Sequence, residues 1–147
     1  MRIIVSETPL NIGELSQRIK PRLETGGVAS FTGYMRNNNV GRNVSGMFLD
    51  HYPEMTEAAL QVITDDATKR WPLHNGLVAH RVGNVLPGDL LVYVETHAEH
   101  RQAAFDACNF IMDTLKTSAP FWKKETSDNN EHWVEQRDSD LSALKKW

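Results

Sequence analysis

Apolar and polar positions in this chain alternate first with a period of two, then with a period near 3.6, and the switches mark out the elements. Residues 2–6 predict a first strand. Asn11, with Glu14 three positions on, has the form of a capping box and opens a short helix. Ile12, Leu15 and Ile19 give that helix one apolar face, and Pro21 ends it. Gly26-Gly27 predicts a turn and 28–32 a strand. Residues 33–43 are too rich in Gly and Asn for regular structure and predict a mobile loop. Residues 44–51 return as a strand through Val44, Met47 and Leu49. A helix then starts at Tyr52-Pro53-Glu54, with Pro53 in its first turn. Met55, Ala59, Val62, Ile63 and Ala67 mark its buried face, and Trp71-Pro72 closes it.

Two further strands, 77–82 and 89–95, flank a Pro87-Gly88-Asp89 turn. Thr96-His97-Ala98-Glu99 reads as a second capping box. It introduces a helix whose apolar stripe is Ala104, Phe105, Cys108, Ile111, Met112 and Leu115. Two strand-like runs around a Ser127-Asp128-Asn129-Asn130 turn follow, with Trp133 and Val134 on the return run. Residues 138–147 form a tail, either a short helix or a flexible end. Strands and helices mix without strict alternation, so the class is α+β, in one domain spanning 1–147.

The richest chemistry lies in Lys116-Thr117-Ser118-Ala119-Pro120-Phe121-Trp122-Lys123-Lys124-Glu125. Lys116 falls on the last turn of the best helix, and Pro120 drives Ala119 out of the α region and stops it. Lys123 and Lys124 return on the next segment, so several ammonium groups can converge on one anion. Two adjacent aromatics lower the local dielectric and favour a lysine of depressed pKa. The plainer reading is a lysine complementing the helix dipole, followed by a surface basic pair. Arg36, near a strand exit, offers a fork for phosphate or carboxylate. His100 and Arg101 place positive charge in a helix's first turn, a locally unfavourable choice that points to a ligand.

Composition narrows the partners. The chain has 147 residues, 40% hydrophobic and 24% charged, as in ordinary globular domains. A net charge of −3 gives no general nucleic-acid footprint. Cys108 is the only cysteine, so no internal disulfide forms, and its place on the apolar stripe makes it a small core residue. His97 and His100 are three apart but have no third ligand at supporting spacing, so no metal is expected. The first residues read as a strand without the apolar region of a signal peptide, and no apolar run reaches membrane-spanning length. A cytoplasmic protein is expected.

Several stretches together resemble the catalytic, large subunit family of molybdopterin synthase. They are Phe31-Thr32-Gly33 with Arg36-Asn37, His51-Tyr52-Pro53 with Met55-Thr56, and Arg70-Trp71-Pro72-Leu73. His80-Arg81 with Gly83, Pro87-Gly88-Asp89, His100-Arg101 and Phe110-Ile111-Met112-Asp113 continue the series. Leu115-Lys116-Thr117, Ala119-Pro120-Phe121-Trp122-Lys123 and Lys146-Trp147 complete it, in the family's order over nearly the whole chain.

The resemblance implies an α/β hammerhead-type fold with a mixed or antiparallel sheet and packed helices. It implies a homodimeric core that binds a small ubiquitin-like sulfur-carrier subunit at each end, a heterotetramer overall. The carrier's Gly-Gly tail bears a thiocarboxylate, the substrate is cyclic pyranopterin monophosphate, and two sulfur transfers make the molybdopterin dithiolene. No resident cofactor, nucleic acid or membrane is implied. Position by position, Lys116 matches the principal catalytic lysine and Lys123 the second. Arg36, with Tyr34 and Met35 beside it, and His100, Arg101, Lys124 and Glu125 match the substrate-binding positions. Position 34 departs from the family, which has a lysine where this chain has Tyr34. Lys116 is expected to be the acid–base or charge-stabilising group, and Lys123 and Arg36 chiefly to bind substrate. Two other classes compete: a non-catalytic scaffold docking a ubiquitin-like partner, and a phosphate-binding module without a protein partner.

Overall fold

The computed structural model describes residues 1–39, 41–118, 121–127 and 130–147. Its central sheet has the order β1-β6-β8-β2. Strand β1 (Arg2–Ser6) runs parallel to β6 (Leu73–Arg81), with Ile3 opposite Val78. Strand β8 (Leu90–Ala98) lies antiparallel between β6 and β2 (Gly27–Tyr34). Leu77, Val78 and Ala79 are all fully buried, because both faces of the sheet are covered. On one face pack α2 (Pro53–Arg70) and α3 (Arg101–Ser118). Their Leu60, Ile63, Ala67, Ala104, Ile111 and Leu115 meet Ala29, Val78, Val92 and Val94. On the other face Leu15 and Ile19 cover Leu77, Ala79 and Tyr93. Leu15 ends the short α1 (Ile12–Leu15), where the Asn11 side chain accepts the Glu14 N–H as the capping pattern predicts.

A second, antiparallel sheet has the order β10-β9-β5-β7. It joins β5 (Gly46–His51), β7 (Gly83–Val85), β9 (Phe121–Ser127) and β10 (Asn130–Trp133). Met35, Val44, Met47, Leu49 and Val85 form its own core. Between the sheets the Asn-rich loop makes a small hairpin, β3 (Asn38–Asn39) with β4 (Arg42–Asn43). Gly41 stands at φ 76°, in the left-handed region that glycine enters without strain. The tail is ordered as α4 (Asp138–Leu144). Behind it the Trp147 indole N–H donates to Asp113 Oδ2 at 2.8 Å and sits edge-on to Trp71 and Phe110.

Four expectations are corrected. Thr96-His97-Ala98-Glu99 does not cap a helix: β8 runs to Ala98 and α3 starts at Arg101. Pairing of Ala98 with both Gly27 and Leu73 outweighs the local cap, and the Thr96 hydroxyl donates to the Ala104 carbonyl instead. The buried stripe of α2 is Thr56, Leu60, Ile63, Thr64 and Ala67, leaving Met55 and Val62 more than half exposed. Threonine counts as polar in a sequence pattern, yet in a helix its hydroxyl can bond back to the preceding turn, as Thr64 does to the Gln61 carbonyl. Phe105 is 56% exposed, since its angular position on α3 lies off the stripe through Ala104, Cys108 and Ile111. The loop at 33–43 holds regular structure at Gly33 and Tyr34, at Asn38–Asn39 and at Arg42–Asn43. The helix stop at Ala119-Pro120 and the turn at Asp128-Asn129 lie outside the described residues, as does Val40.

Candidate active site

Lys116 arrives on the last turn of α3, where helix carbonyls lack intrahelical donors. The Gln136 side chain supplies one, donating to the Lys116 carbonyl at 2.9 Å. Strand β9 then places its residues by register against β5, with Phe121 opposite His51, Lys123 opposite Leu49 and Glu125 opposite Met47. Side chains two apart share a face, so Phe121, Lys123 and Glu125 point the same way. They line a cavity of about 450 Å³ with Lys116, Tyr34, Met35 and Arg36. The far wall is the segment 134–137 with Asp140. It is tied down by the Val134 N–H, which donates to the Lys123 carbonyl at 2.8 Å. Phe121 in turn rests on His80, the rings stacked at 4.0 Å and 17°.

The electrostatics single out Lys123. Burial pushes its pKa below the ordinary lysine value, and the Lys116 ammonium adds to the effect. Arg137 also lowers it, while Asp140 and Glu125 work in the opposite direction. A lysine so placed can exchange a proton nearer neutrality than a solvated one. His80, fully enclosed, is held down to about 4, mainly by burial and against the hydrogen bond to the Arg81 carbonyl. Its ring is therefore neutral behind Phe121. Burial pushes the Cys108 thiol up to about 11, so it stays protonated in the core.

Six of the nine residues singled out from the sequence meet at this cavity: Tyr34, Met35, Arg36, Lys116, Lys123 and Glu125. Three do not. Lys124 falls on the other side of β9, paired with Glu131 at 2.7 Å and lying over the Trp133 ring. His100 and Arg101 stand at the opposite end of α3, and 15 residues of helix put about 22 Å between Arg101 and Lys116. A basic cluster of Arg36, His100, Arg101 and Lys124 in one chain is thus excluded. The sequence also hid Asn39, Gln136, Arg137 and Asp140, which all border the cavity. The one signal available was the polar run Glu135-Gln136-Arg137 ahead of Asp138 and Asp140, which has no periodic pattern to assign it a face.

His97 is buried and bonded to Glu95 at 2.5 Å, whereas His100 is exposed beside Glu99. The two imidazoles do not share a ligand position. Among the described residues no group of three His, Cys, Asp or Glu side chains could hold a metal ion. No helix among them is long and apolar enough to cross a membrane.

Fold and cavity define a class of α+β protein in which two sheets and one long helix converge on a pair of lysines, one of them desolvated. The chain belongs to the MoaE protein family, whose model matches residues 5–118. It is 47% identical to the molybdopterin synthase catalytic subunit of Escherichia coli, covering 99% of this chain and 97% of that one. To the molybdopterin synthase catalytic subunit of Pseudomonas aeruginosa it is 49% identical, over 100% and 99% of the two chains. Among solved structures it superposes on molybdopterin cofactor biosynthesis protein E from Burkholderia multivorans with a TM-score of 0.82 and 41% identity. That match covers 99% of this chain and 95% of the other.

Proposed function

We propose that this chain is the catalytic subunit of a molybdopterin synthase. It transfers sulfur from the thiocarboxylated C-terminus of a small carrier protein to cyclic pyranopterin monophosphate. The observation that carries the reading is the meeting of Lys116 and Lys123 in one cavity from two different elements. Near-full-length identity to catalytic subunits supports it.

The chemistry sets clear demands. For each sulfur delivered, the carrier's terminal C–S bond breaks and water supplies the oxygen that leaves a carboxylate. The substrate gains two C–S bonds in all: one replaces the C–O bond that breaks as the cyclic phosphate opens to a monoester, and the other replaces a side-chain oxygen that leaves as water. Sulfur comes from the carrier, so the buried Cys108 thiol has no part. Protons must be taken up and released as sulfur adds, and the desolvated Lys123 suits that work. This shifts a role: the sequence cast Lys123 chiefly as a binder, whereas its depressed pKa fits proton transfer. Lys116, facing it across the cavity, stabilises developing negative charge, and Arg36 at the rim holds the phosphate.

His100 and Arg101 are too far from Lys116 to serve the same cavity. In a homodimer they would act on the cavity of the second copy, which would account for an anion-attracting pair at the start of α3. The carrier docks with its glycine-ended tail extended in the cavity, and the assembly works in the cytoplasm.

The test is reconstitution of the chain with a thiocarboxylated carrier and cyclic pyranopterin monophosphate. Molybdopterin should form, and should fail to form with Lys116→Ala. Carrier binding without product from the unaltered chain would refute the enzyme reading in favour of a scaffold.

A further inference from the structure

Glu125 is buried, 7% exposed, on the strand face it shares with Lys123. A buried carboxylate is costly unless charge-paired or hydrogen-bonded. Among the described residues no basic group lies within 4.0 Å of it, and one side chain hydrogen-bonds it. That side chain is Asn39, whose amide N–H donates to Glu125 Oε1 at 2.8 Å. The same amide accepts, through Oδ1, a hydrogen bond from Arg137 Nη2 at 2.7 Å. One planar group thus joins three separate pieces of chain: the β3–β4 hairpin, the middle of β9 and the segment that leads into α4. An amide can do both with separate atoms, its N–H donating to a carboxylate on one side and its oxygen accepting from a guanidinium on the other.

We propose that Asn39 is a positioning residue for the reaction: its amide holds the Glu125 carboxylate and the Arg137 guanidinium apart from one another and off Lys123, and so keeps Lys123 without a direct counter-ion. The function of the site rests on the reading above; the arrangement of the amide does not. Without it, the buried Glu125 carboxylate turns to the nearest cation. If it reaches Lys123, it stabilises the ammonium directly. If it reaches Arg137, it neutralises a positive charge that now opposes the ammonium. Either move raises the proton affinity of Lys123. The charged groups facing Lys123 are Lys116 from α3, Arg137 and Asp140 from α4 and its approach, and Glu125 on its own strand. His80 lies behind Phe121, and Arg36 and Glu135 border the same cavity.

The experiment is an NMR titration of the full chain carrying 13C-labelled lysine, with Lys123→Arg assigning the Lys123 signal. In Asn39→Ala the Lys123 midpoint should rise by about half a unit or more, a roughly threefold gain in proton affinity. Glu125→Gln alone should lower the midpoint by removing a charge that raises it, so it is the reference for the double variant. Asn39→Ala/Glu125→Gln should match Glu125→Gln, whereas a general loosening of the hairpin would raise the midpoint on either background. An unchanged midpoint in Asn39→Ala, or a double variant whose midpoint lies as far above that of Glu125→Gln as Asn39→Ala lies above the parent, overturns the proposal. The readout needs no carrier or substrate. A failed reconstitution therefore counts against the enzyme reading alone, and an unmoved lysine against Asn39 alone.

Discussion

Lys116 and Lys123 sit seven positions apart in sequence, one on the last turn of a helix and one in a strand of the second sheet, and face the same cavity. The Lys116 ammonium is, after burial, the largest influence holding the Lys123 pKa down. The two lysines are therefore a coupled unit, and removing one changes the other.

Lys116→Ala should reduce turnover by about two orders of magnitude or more, the usual scale for losing a positioned charge or proton-transfer group. It should also raise the Lys123 midpoint, since a repelling charge is gone. Single-turnover assays on the reconstituted complex give the first result and a lysine titration the second. A folded variant of normal rate would remove Lys116 from the chemistry.

If neutral Lys123 takes a proton in the reaction, the rate should climb with pH through a midpoint below the ordinary lysine value. Lys123→Arg keeps the charge but does not titrate in that range. Its pH–rate profile should lose that limb as well as most of its height. A surviving limb would assign the titration to another group.

His80 makes a distinct prediction about stability. Its folded pKa of about 4 lies below the ordinary value of 6.5, so between those limits the unfolded chain binds more protons. Stability then rises with pH across the window and is lost as pH falls from 6.5 towards 4, by about 3 kcal/mol at full extent. His80→Phe keeps the ring under Phe121 and removes the titration. Urea unfolding at pH 7 and pH 4.5 should show a smaller acid loss in the variant than in the parent.

Trp147→Ala should cost about 2 kcal/mol, from two edge-on aromatic contacts, the bond to Asp113 and the covered surface of α3. The same change should loosen α4, which carries Asp140 to the cavity wall. Urea unfolding measures the stability loss. A rise in KM larger than any fall in kcat would show that the tail shapes binding.

Tyr34 is half exposed at the cavity rim, two residues from Arg36. Tyr34→Lys adds a positive charge where the family resemblance has one. KM for the phosphate substrate should fall severalfold at low ionic strength and converge with the parent in high salt. Equal KM values under both conditions would mean that position 34 faces no anion.

Much of this protein can be read without coordinates. The strand starting the chain, the Asn11 cap and most of the α3 stripe are local features, set by period and capping within a few residues. The resemblance reaches further, because its motifs keep their order over the whole chain, and it names the two lysines. What local rules cannot supply is the outcome of competition between local and distant partners. Thr96-His97-Ala98-Glu99 satisfies a helix cap on paper, but two flanking strands claim it for the sheet. Lys123 and Lys124 are equivalent neighbours in sequence, and the register of β9 against β5 alone sends one into the cavity and leaves the other with Glu131. His100 and Arg101 looked like partners of Lys116 until the length of α3 separated them. Asn39 and Arg137, 98 positions apart, carry no joint signal at all, and become one network only when the hairpin and the tail close on β9. Sequence by itself determined which groups are present and which short segments they ride on, because those depend on neighbouring residues. The tertiary structure decided which of them meet and which lysine is desolvated, because distance and burial depend on how the whole chain packs.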